Sequence, residues 1–258
     1  MDLGLTGDRV FIAGSTRGIG RAIAAALLAE GASVAVSGRD GARLELAFTE
    51  LDAEAPGRVL ACHGDLGDPV VLARAVRLVE EHWHGLDGVV SNIGTGSGLR
   101  GWDMDVGEWH QLFHQNLFVS AQVARAMIPI MMRGGRGSVV FVSSIAGIEA
   151  LDTPIAYAAA KAGLIALMKM MSRQVGEAGI RVNAVAPGNV LATGGTWDVR
   201  RREDRLTTER YVRDHVPMQR FGLPEEIADA VVFLASKRAS FVNGACLIVD
   251  GGQSRAFF

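Results

Sequence analysis

Short apolar runs alternate with longer amphipathic stretches along the 258-residue chain. The runs are too short for helices and rich in β-branched residues, whereas the longer stretches repeat their apolar positions at helical spacing. The predicted strands cover residues 9–14, 33–37, 58–64, 88–92, 138–144, 181–187 and 246–252. The predicted helices cover residues 21–30, 41–53, 68–82, 106–133 and 154–178, with another starting near 224. Such alternation is typical of a parallel sheet with helices on both faces. It predicts an α/β protein, a single-domain Rossmann fold with a doubly wound seven-stranded parallel sheet.

One stretch departs from this alternation. Residues 191–216 are charged and irregular and follow the sixth predicted strand, while no repeat or linker divides residues 1–258 into separate domains. Open α/β sheets bind ligands at the carboxyl ends of their strands. We therefore expect one domain in which 191–216 forms a substrate lid, and its arginines would suit an anionic substrate such as a carrier-linked acyl group.

Charge and cysteine content exclude several classes of protein. The 26 basic and 28 acidic side chains leave a net charge of −2, without the basic surplus of a nucleic-acid-binding protein. Cys62 and Cys246 lie far apart, and His110 and His114 lack a third ligand, so no metal site is expected. Neither a signal peptide nor an apolar membrane span is evident. These features predict a cytoplasmic protein in a reducing compartment that binds neither nucleic acid nor membrane.

A glycine-rich turn joins the first predicted strand to the first helix. It contains Gly14, Gly18 and Gly20. Glycine lets a backbone approach a pyrophosphate closely, and the following helix offers free N–H groups to the phosphates. We expect this turn, with the intervening Ser15, Arg17 and Ile19, to bind a dinucleotide.

A second motif places Tyr157 and Lys161 four residues apart, and therefore on one face of a helix. A phenol with an ordinary pKa of about 10 is a poor base at neutral pH, but a nearby ammonium would stabilise the phenolate. The pair is a candidate for proton exchange with a carbonyl or an alcohol.

The Gly-x-x-x-Gly-x-Gly turn and the Tyr-x-x-x-Lys pair together resemble the short-chain dehydrogenase/reductase family, in particular its 3-oxoacyl-carrier-protein-reductase-like members. The resemblance covers nearly the whole chain. It implies a catalytic role for Ser144, thirteen residues before Tyr157, with strand alternation turning the neighbouring Ser143 away. It also implies that Asn116 bends its helix and holds a water in a relay to Lys161.

Further cofactor contacts are implied by the same resemblance. The family uses the position of Asp65, followed here by Leu66, against the adenine ring. The segment "SNIG" matches the family at Asn92 and Gly94 but departs at Ser91 and Ile93. In "APGNV", Pro187, Gly188 and Val190 would lie beside the nicotinamide, but Ala192 stands where the family commonly has Thr.

The end of the second strand bears on the choice between NAD and NADP. An acidic residue there would bind the ribose 2′-hydroxyl of NAD, but this chain has Ser37, Gly38 and Arg39. Arg39 and Arg17 could instead pair with the 2′-phosphate of NADP. The alternative is that both are solvated surface arginines.

These motifs predict an NADP(H)-dependent oxidoreductase that interconverts a carbonyl and a secondary alcohol, with Tyr157 as general acid/base. The alternatives are an NAD-dependent alcohol dehydrogenase and a non-catalytic cofactor-binding regulator. The substrate is a small molecule that the sequence does not identify. Trp102, Trp109 and Trp197 are candidates either for its pocket or for the core. Family members frequently form dimers or tetramers, so a homo-oligomer, such as a homotetramer, is expected.

Overall fold

The seven predicted strands form one parallel sheet in the order β3-β2-β1-β4-β5-β6-β7. The structure is a computed structural model that describes residues 2–99 and 101–256. The strands are β1 (Arg9–Ala13), β2 (Ser33–Gly38), β3 (Val59–His63), β4 (Gly88–Ser91), β5 (Gly137–Val142), β6 (Ile180–Pro187) and β7 (Cys246–Val249). The predicted fold class is thereby confirmed.

Helices cover both faces of the sheet. They are α1 (Gly18–Ala29), α2 (Gly41–Glu54), α3 (Pro69–Trp83), α4 (Val106–Phe113), α5 (Val119–Arg133), α6 (Ile155–Val175), α7 (Thr196–Glu203), α8 (Arg205–His215) and α9 (Pro224–Ala235). Alternate residues of β1 point to opposite faces, so Val10 and Ile12 pack in the core that contains α1, α2 and α9. Phe11 and Ala13 pack in the core that contains α3, α5 and α6.

The helix predicted over residues 106–133 is interrupted. A π-helical turn, His114–Phe118, separates α4 from α5 and carries Asn116 on its buried side. Such single turns commonly occur at functional sites. The helix predicted over residues 106–133 is therefore present, with a π-helical turn at Asn116 that side-chain periodicity does not reveal.

The expectation of irregular structure in 191–216 was also wrong, since α7 and α8 occupy most of the segment. The Asp204 side chain caps α8 by accepting from the Thr207 amide, and Arg202 pairs with Asp198 one turn earlier. These local contacts stabilise short helices that have little apolar surface.

Helix α6, with the turn that follows it, is long and apolar enough to cross a membrane by length and composition alone. Its buried side contains Lys161, Leu164 and Met168, of which the two apolar residues pack in the core beneath the sheet. This packing makes α6 a core helix.

Candidate active site

A cleft of about 700 Å³ opens at the carboxyl ends of the central strands. The turn after β1, the segments after β4, β5 and β6, and helices α6, α7 and α8 all contribute to its lining. The strand order reverses between β1 and β4, and this is where α/β sheets place their ligands.

The glycine-rich turn packs too tightly against the sheet for side chains. Gly14 has a φ of +79°, and a Cβ on Gly20 would lie 2.0 Å from the Gly14 carbonyl oxygen. Gly14, Gly18 and Ile19 line the cleft as expected.

Ser15 and Ser37, two residues of the predicted cofactor set, form hydrogen bonds that hold the turn in place. Ser15 is buried, and its hydroxyl donates to the Ile12 carbonyl and accepts from the Ser37 amide. Ser15 and Gly20 do not line the cleft, so their prediction as direct cofactor contacts is not supported by their placement. Ser37 does line it, but its hydroxyl is already bonded to Ile12 and Gly14.

The end of β2 has no room for an acidic side chain. A Cβ on Gly38 would lie 2.2 Å from Cγ2 of Thr16. Arg39 lines the cleft with 70% of its side chain exposed and lies 3.7 Å from the Asp65 carboxylate. Arg17 also lines the cleft, but its guanidinium donates to the Gly194 carbonyl at 2.8 Å.

The two candidate serines, Ser143 and Ser144, directly follow β5 and have different hydrogen-bond partners. The Ser143 hydroxyl is buried and donates to the Lys161 carbonyl at 3.0 Å. The Ser144 side chain is hydrogen-bonded to Tyr157 and also accepts from the Ala146 amide. The geometry agrees with the choice of Ser144 as the hydroxyl beside Tyr157, and leaves Ser143 to hold α6.

Lys161 is buried under the cleft. Its ammonium donates to the Val142 carbonyl at 3.0 Å and the Ile93 carbonyl at 3.4 Å. Burial lowers the pKa of Lys161 from 10.5 to about 8, because desolvation disfavours the charged form.

The structure differs from the electrostatic expectation for Tyr157. Burial raises the pKa of the Tyr157 phenol above its ordinary value, and the hydrogen bond with Ser144 only partly opposes this effect. The Lys161 ammonium lies 6.0 Å from the centre of the Tyr157 ring. The pKa of Tyr157 is therefore raised, and not lowered by Lys161 as expected, so the phenol is protonated at neutral pH.

Asn116 fixes the segment after β4. Its Oδ1 accepts from the Thr95 amide at 2.9 Å, and its Nδ2 donates to the Leu112 carbonyl at 3.0 Å. A Cβ on Gly94 would lie 2.5 Å from Asn116 Oδ1 and 2.9 Å from Lys161 Nζ, so both polar atoms border the same small space. A carbonyl oxygen can accept a second hydrogen bond there.

Several predicted contacts from the other central strands also reach the cleft. Its lining includes Leu66, Asn92, Pro187, Gly188 and Val190. Asp65 lines it too and accepts from the Gly67 amide. The Asn92 side chain donates to the Gly14 carbonyl, which ties the two central segments together.

Sequence reasoning missed Asn189, which also lines the cleft. Its side-chain Nδ2 is buried and has no hydrogen-bond partner among the described residues. A buried N–H group without an acceptor lowers the stability of the folded protein, unless a ligand accepts a hydrogen bond from it. No local pattern marks the residue, because its burial depends on Gln253 and Gly222, which bond to its backbone from distant parts of the chain.

Of the three tryptophans considered, only Trp197 lines the cleft. Trp102 is 85% exposed, and Trp109 packs against Phe113. Trp197 stacks on Tyr211 with 5.2 Å between ring centres, and the Arg200 guanidinium lies 4.9 Å from the Trp197 ring. Arg200 and Tyr211 line the cleft as well. Arg200 is one of the arginines in 191–216 for which the sequence suggests an anionic substrate, whereas the sequence did not single out Tyr211.

Comparisons with known proteins identify the family of the chain. Residues 13–254 match a family model described as enoyl-(acyl carrier protein) reductase. The chain is 32% identical to a 3-oxoacyl-[acyl-carrier-protein] reductase of Chlamydia trachomatis, over 97% of this chain and 98% of the relative.

Solved structures include close matches to the whole chain. L-sorbose reductase from Gluconobacter frateurii, complexed with NADPH and L-sorbose, superposes with a TM-score of 0.93, 30% identity and full coverage of both chains. A 7α-hydroxysteroid dehydrogenase complexed with NADH and 7-oxo glycochenodeoxycholic acid gives a TM-score of 0.90 and 29% identity, covering 100% of this chain and 98% of that one. The chain belongs to the short-chain dehydrogenase/reductase family and is an oxidoreductase of the class that acts on carbonyl and CH–OH groups.

Proposed function

We propose that this protein interconverts a carbonyl and a secondary alcohol with NADP(H), and that Tyr157 transfers the proton. The observation that carries the proposal is the meeting of Ser144, Tyr157 and Lys161 in one cleft beside the glycine-rich turn. The presence of Asn116 with these three residues disfavours a regulator that has lost catalysis.

A dinucleotide fits the cleft as its residues stand. The turn at Gly14, Gly18 and Ile19 would hold the pyrophosphate, since its glycines leave the backbone accessible. Asp65 and Leu66 would border the adenine. Asn92, Gly94, Pro187, Gly188 and Val190 would border the nicotinamide half. A bound nicotinamide supplies or accepts the hydride, and the protein provides orientation and proton transfer.

The protonation state of Tyr157 suggests the direction of proton transfer. A Tyr157 phenol that burial keeps protonated is suited to donate to the oxygen of a carbonyl undergoing reduction. Ser144 would hold that oxygen by a second hydrogen bond. The Lys161 ammonium would anchor the ribose hydroxyls. Asn116 would help return the proton through water in the space above Gly94.

The preference for NADP over NAD rests on Gly38 and Arg39. Since Gly38 has no side chain, no carboxylate can reach the 2′-hydroxyl from that position. The Arg39 guanidinium is exposed and pairs with Asp65 at 3.7 Å, and it would turn to a 2′-phosphate when NADP binds. Arg17 could add to it only by leaving the Gly194 carbonyl. The NADPH bound to L-sorbose reductase supports this choice, whereas the NADH bound to the steroid dehydrogenase shows that the fold also accepts NAD.

We further propose a cytoplasmic homo-oligomer, a dimer or a tetramer. Helix α5 exposes Met132, helix α6 exposes Ile155 and Met170, and Phe118 in the π-helical turn before α5 is also exposed. Burying these apolar side chains between subunits would be favourable. Sedimentation of the protein and of a Met170→Glu variant tests this, since a monomeric wild type would contradict it.

The decisive test of the activity compares the only two tyrosines of the chain. NADPH oxidation would be followed with a panel of ketones, 3-oxoacyl thioesters and L-sorbose. Tyr157→Phe should lower turnover by about 10²- to 10⁴-fold, which is the usual contribution of general acid catalysis. Tyr211→Phe keeps its ring stacking and should retain most of the activity. Equal turnover in wild type and Tyr157→Phe would overturn the proposed proton transfer.

A further inference from the structure

A second, smaller cavity of about 400 Å³ lies between the segment after β4 and the start of α7. It shares lining residues with the main cleft. Its lining consists of Arg17, Gly94, Thr95, Gly96, Ser97, Gly194, Gly195, Thr196, Val199 and Arg200. Two arginines and three hydroxyl-bearing side chains therefore surround a space whose described lining contains no carboxylate.

Arg200 differs from its neighbours in the lid. Arg202 pairs with Asp198 at 2.8 Å, and Arg201 and Arg205 both pair with Glu209. Among the residues that the structure describes, Arg200 forms no ion pair with a carboxylate. Its guanidinium instead lies over the Trp197 ring, which fixes its position while leaving its charge uncompensated.

The cavity adjoins the candidate proton donor. A Cβ on Gly96 would lie 3.9 Å from both Tyr157 Cζ and Thr196 Oγ1, so the first residue of α7 faces Tyr157 across Gly96. Arg200 follows Thr196 by about one helical turn, a rise of roughly 5–6 Å. A ligand whose carbonyl lies at Tyr157 can therefore extend a short chain along α7 to Arg200.

We propose that this side cavity binds an anionic group of the substrate, through a charged hydrogen bond to Arg200. The substrate class is thus a short-chain ketone, or its alcohol, with a carboxylate, sulfonate or phosphate a few carbons from the reacting centre. This inference rests on the proposed function. The anionic group in this cavity could instead be the cofactor pyrophosphate, because Arg17, which also lines the cavity, belongs to the glycine-rich turn.

Binding to the protein–NADP⁺ complex tests the inference without requiring turnover. The probes are 4-oxopentanoate, 5-oxohexanoate and 6-oxoheptanoate, each compared with its own methyl ester by titration calorimetry. We expect at least one acid to bind about tenfold or more tightly than its ester, as a charged hydrogen bond allows. Arg200→Met should abolish this preference, and Arg200→Lys should restore part of it. Arg202→Met, which removes a charge already paired with Asp198, is the matched control and should leave the ratio unchanged.

The outcomes separate the two proposals. If acid and ester bind equally, or if neither binds, the anion site is wrong even when ketones are reduced. If Arg200→Met weakens NADP⁺ binding and leaves the acid-to-ester ratio unchanged, the cavity serves the cofactor, and the inference is likewise overturned. If the preference is present but Tyr157→Phe leaves turnover unchanged, the site stands and the proposed proton transfer fails.

Discussion

The glycine-rich turn and the lid border the same cleft but are built differently. In the turn, the Ser15 and Ser37 hydroxyls both donate to the Ile12 carbonyl of β1. The Ser37 hydroxyl accepts from the Gly14 amide, and the Ser15 hydroxyl accepts from the Ser37 amide. The lid helices α7 and α8 are held by exposed arginine–carboxylate pairs and by Trp197. Buried backbone contacts tolerate little change, whereas exposed pairs can be exchanged at small cost. The two walls of the cleft therefore differ in how readily their residues can be exchanged.

The largest effect is expected where the turn packs most tightly. Gly20→Ala would place a Cβ 2.0 Å from the Gly14 oxygen and 2.7 Å from Asn92 Nδ2. We expect a loss of about 3 kcal/mol or more in unfolding free energy, because the backbone must move. Urea unfolding measures it. Gly41→Ala is the control, since its nearest neighbour would lie at an ordinary 3.4 Å and alanine favours the helix. Similar stability of the two variants would show that the turn is less rigid than its packing indicates.

The second-largest effect is expected on the preference for NADPH over NADH. Arg39→Ala should weaken NADPH binding by about ten- to a hundredfold and NADH binding much less, because only NADPH carries the 2′-phosphate. Energy transfer from tryptophan to the bound nicotinamide reports both dissociation constants. Arg43→Ala removes a nearby exposed arginine that is paired with Asp40, and it should change neither dissociation constant. Equal weakening of both cofactors by Arg39→Ala would defeat the assignment.

The buried lysine predicts a pH effect on stability. Burial lowers the Lys161 pKa to about 8 in the folded protein from 10.5. Between about pH 8 and 9 the unfolded chain holds a proton on Lys161 that the folded protein lacks, so unfolding free energy should rise with pH, by at most about 1.4 kcal/mol per unit. Above about pH 9 the rise is opposed, because burial raises the pKa of Cys246 to about 11. Lys161→Met should remove this rise, and Lys169→Met, on the exposed side of the same helix, should keep it. Parallel stability curves for wild type and Lys161→Met would show that Lys161 is not desolvated.

The sequence predicted the elements whose signals are local. All seven strands were found, because a short apolar run next to turn residues marks each one. The Tyr157–Lys161 pair was found because helical spacing fixes its geometry. What was missed depends on contacts between distant segments: the π-helical turn at Asn116, the buried Asn189 amide, and the bond from Arg17 to Gly194. No periodicity encodes which partner a side chain meets across the cleft.

The smallest effect should come from the outer face of the lid. Arg205 is 69% exposed and shares the Glu209 carboxylate with Arg201, so its loss leaves that carboxylate paired. Arg205→Ala should therefore shift the melting temperature by no more than about 1 °C and leave ketone turnover unchanged. Calorimetry and the turnover assay check the two expectations. A large thermal shift would mean that the lid is a structural element as firmly built as the turn opposite, and the contrast between the two walls of the cleft would fail.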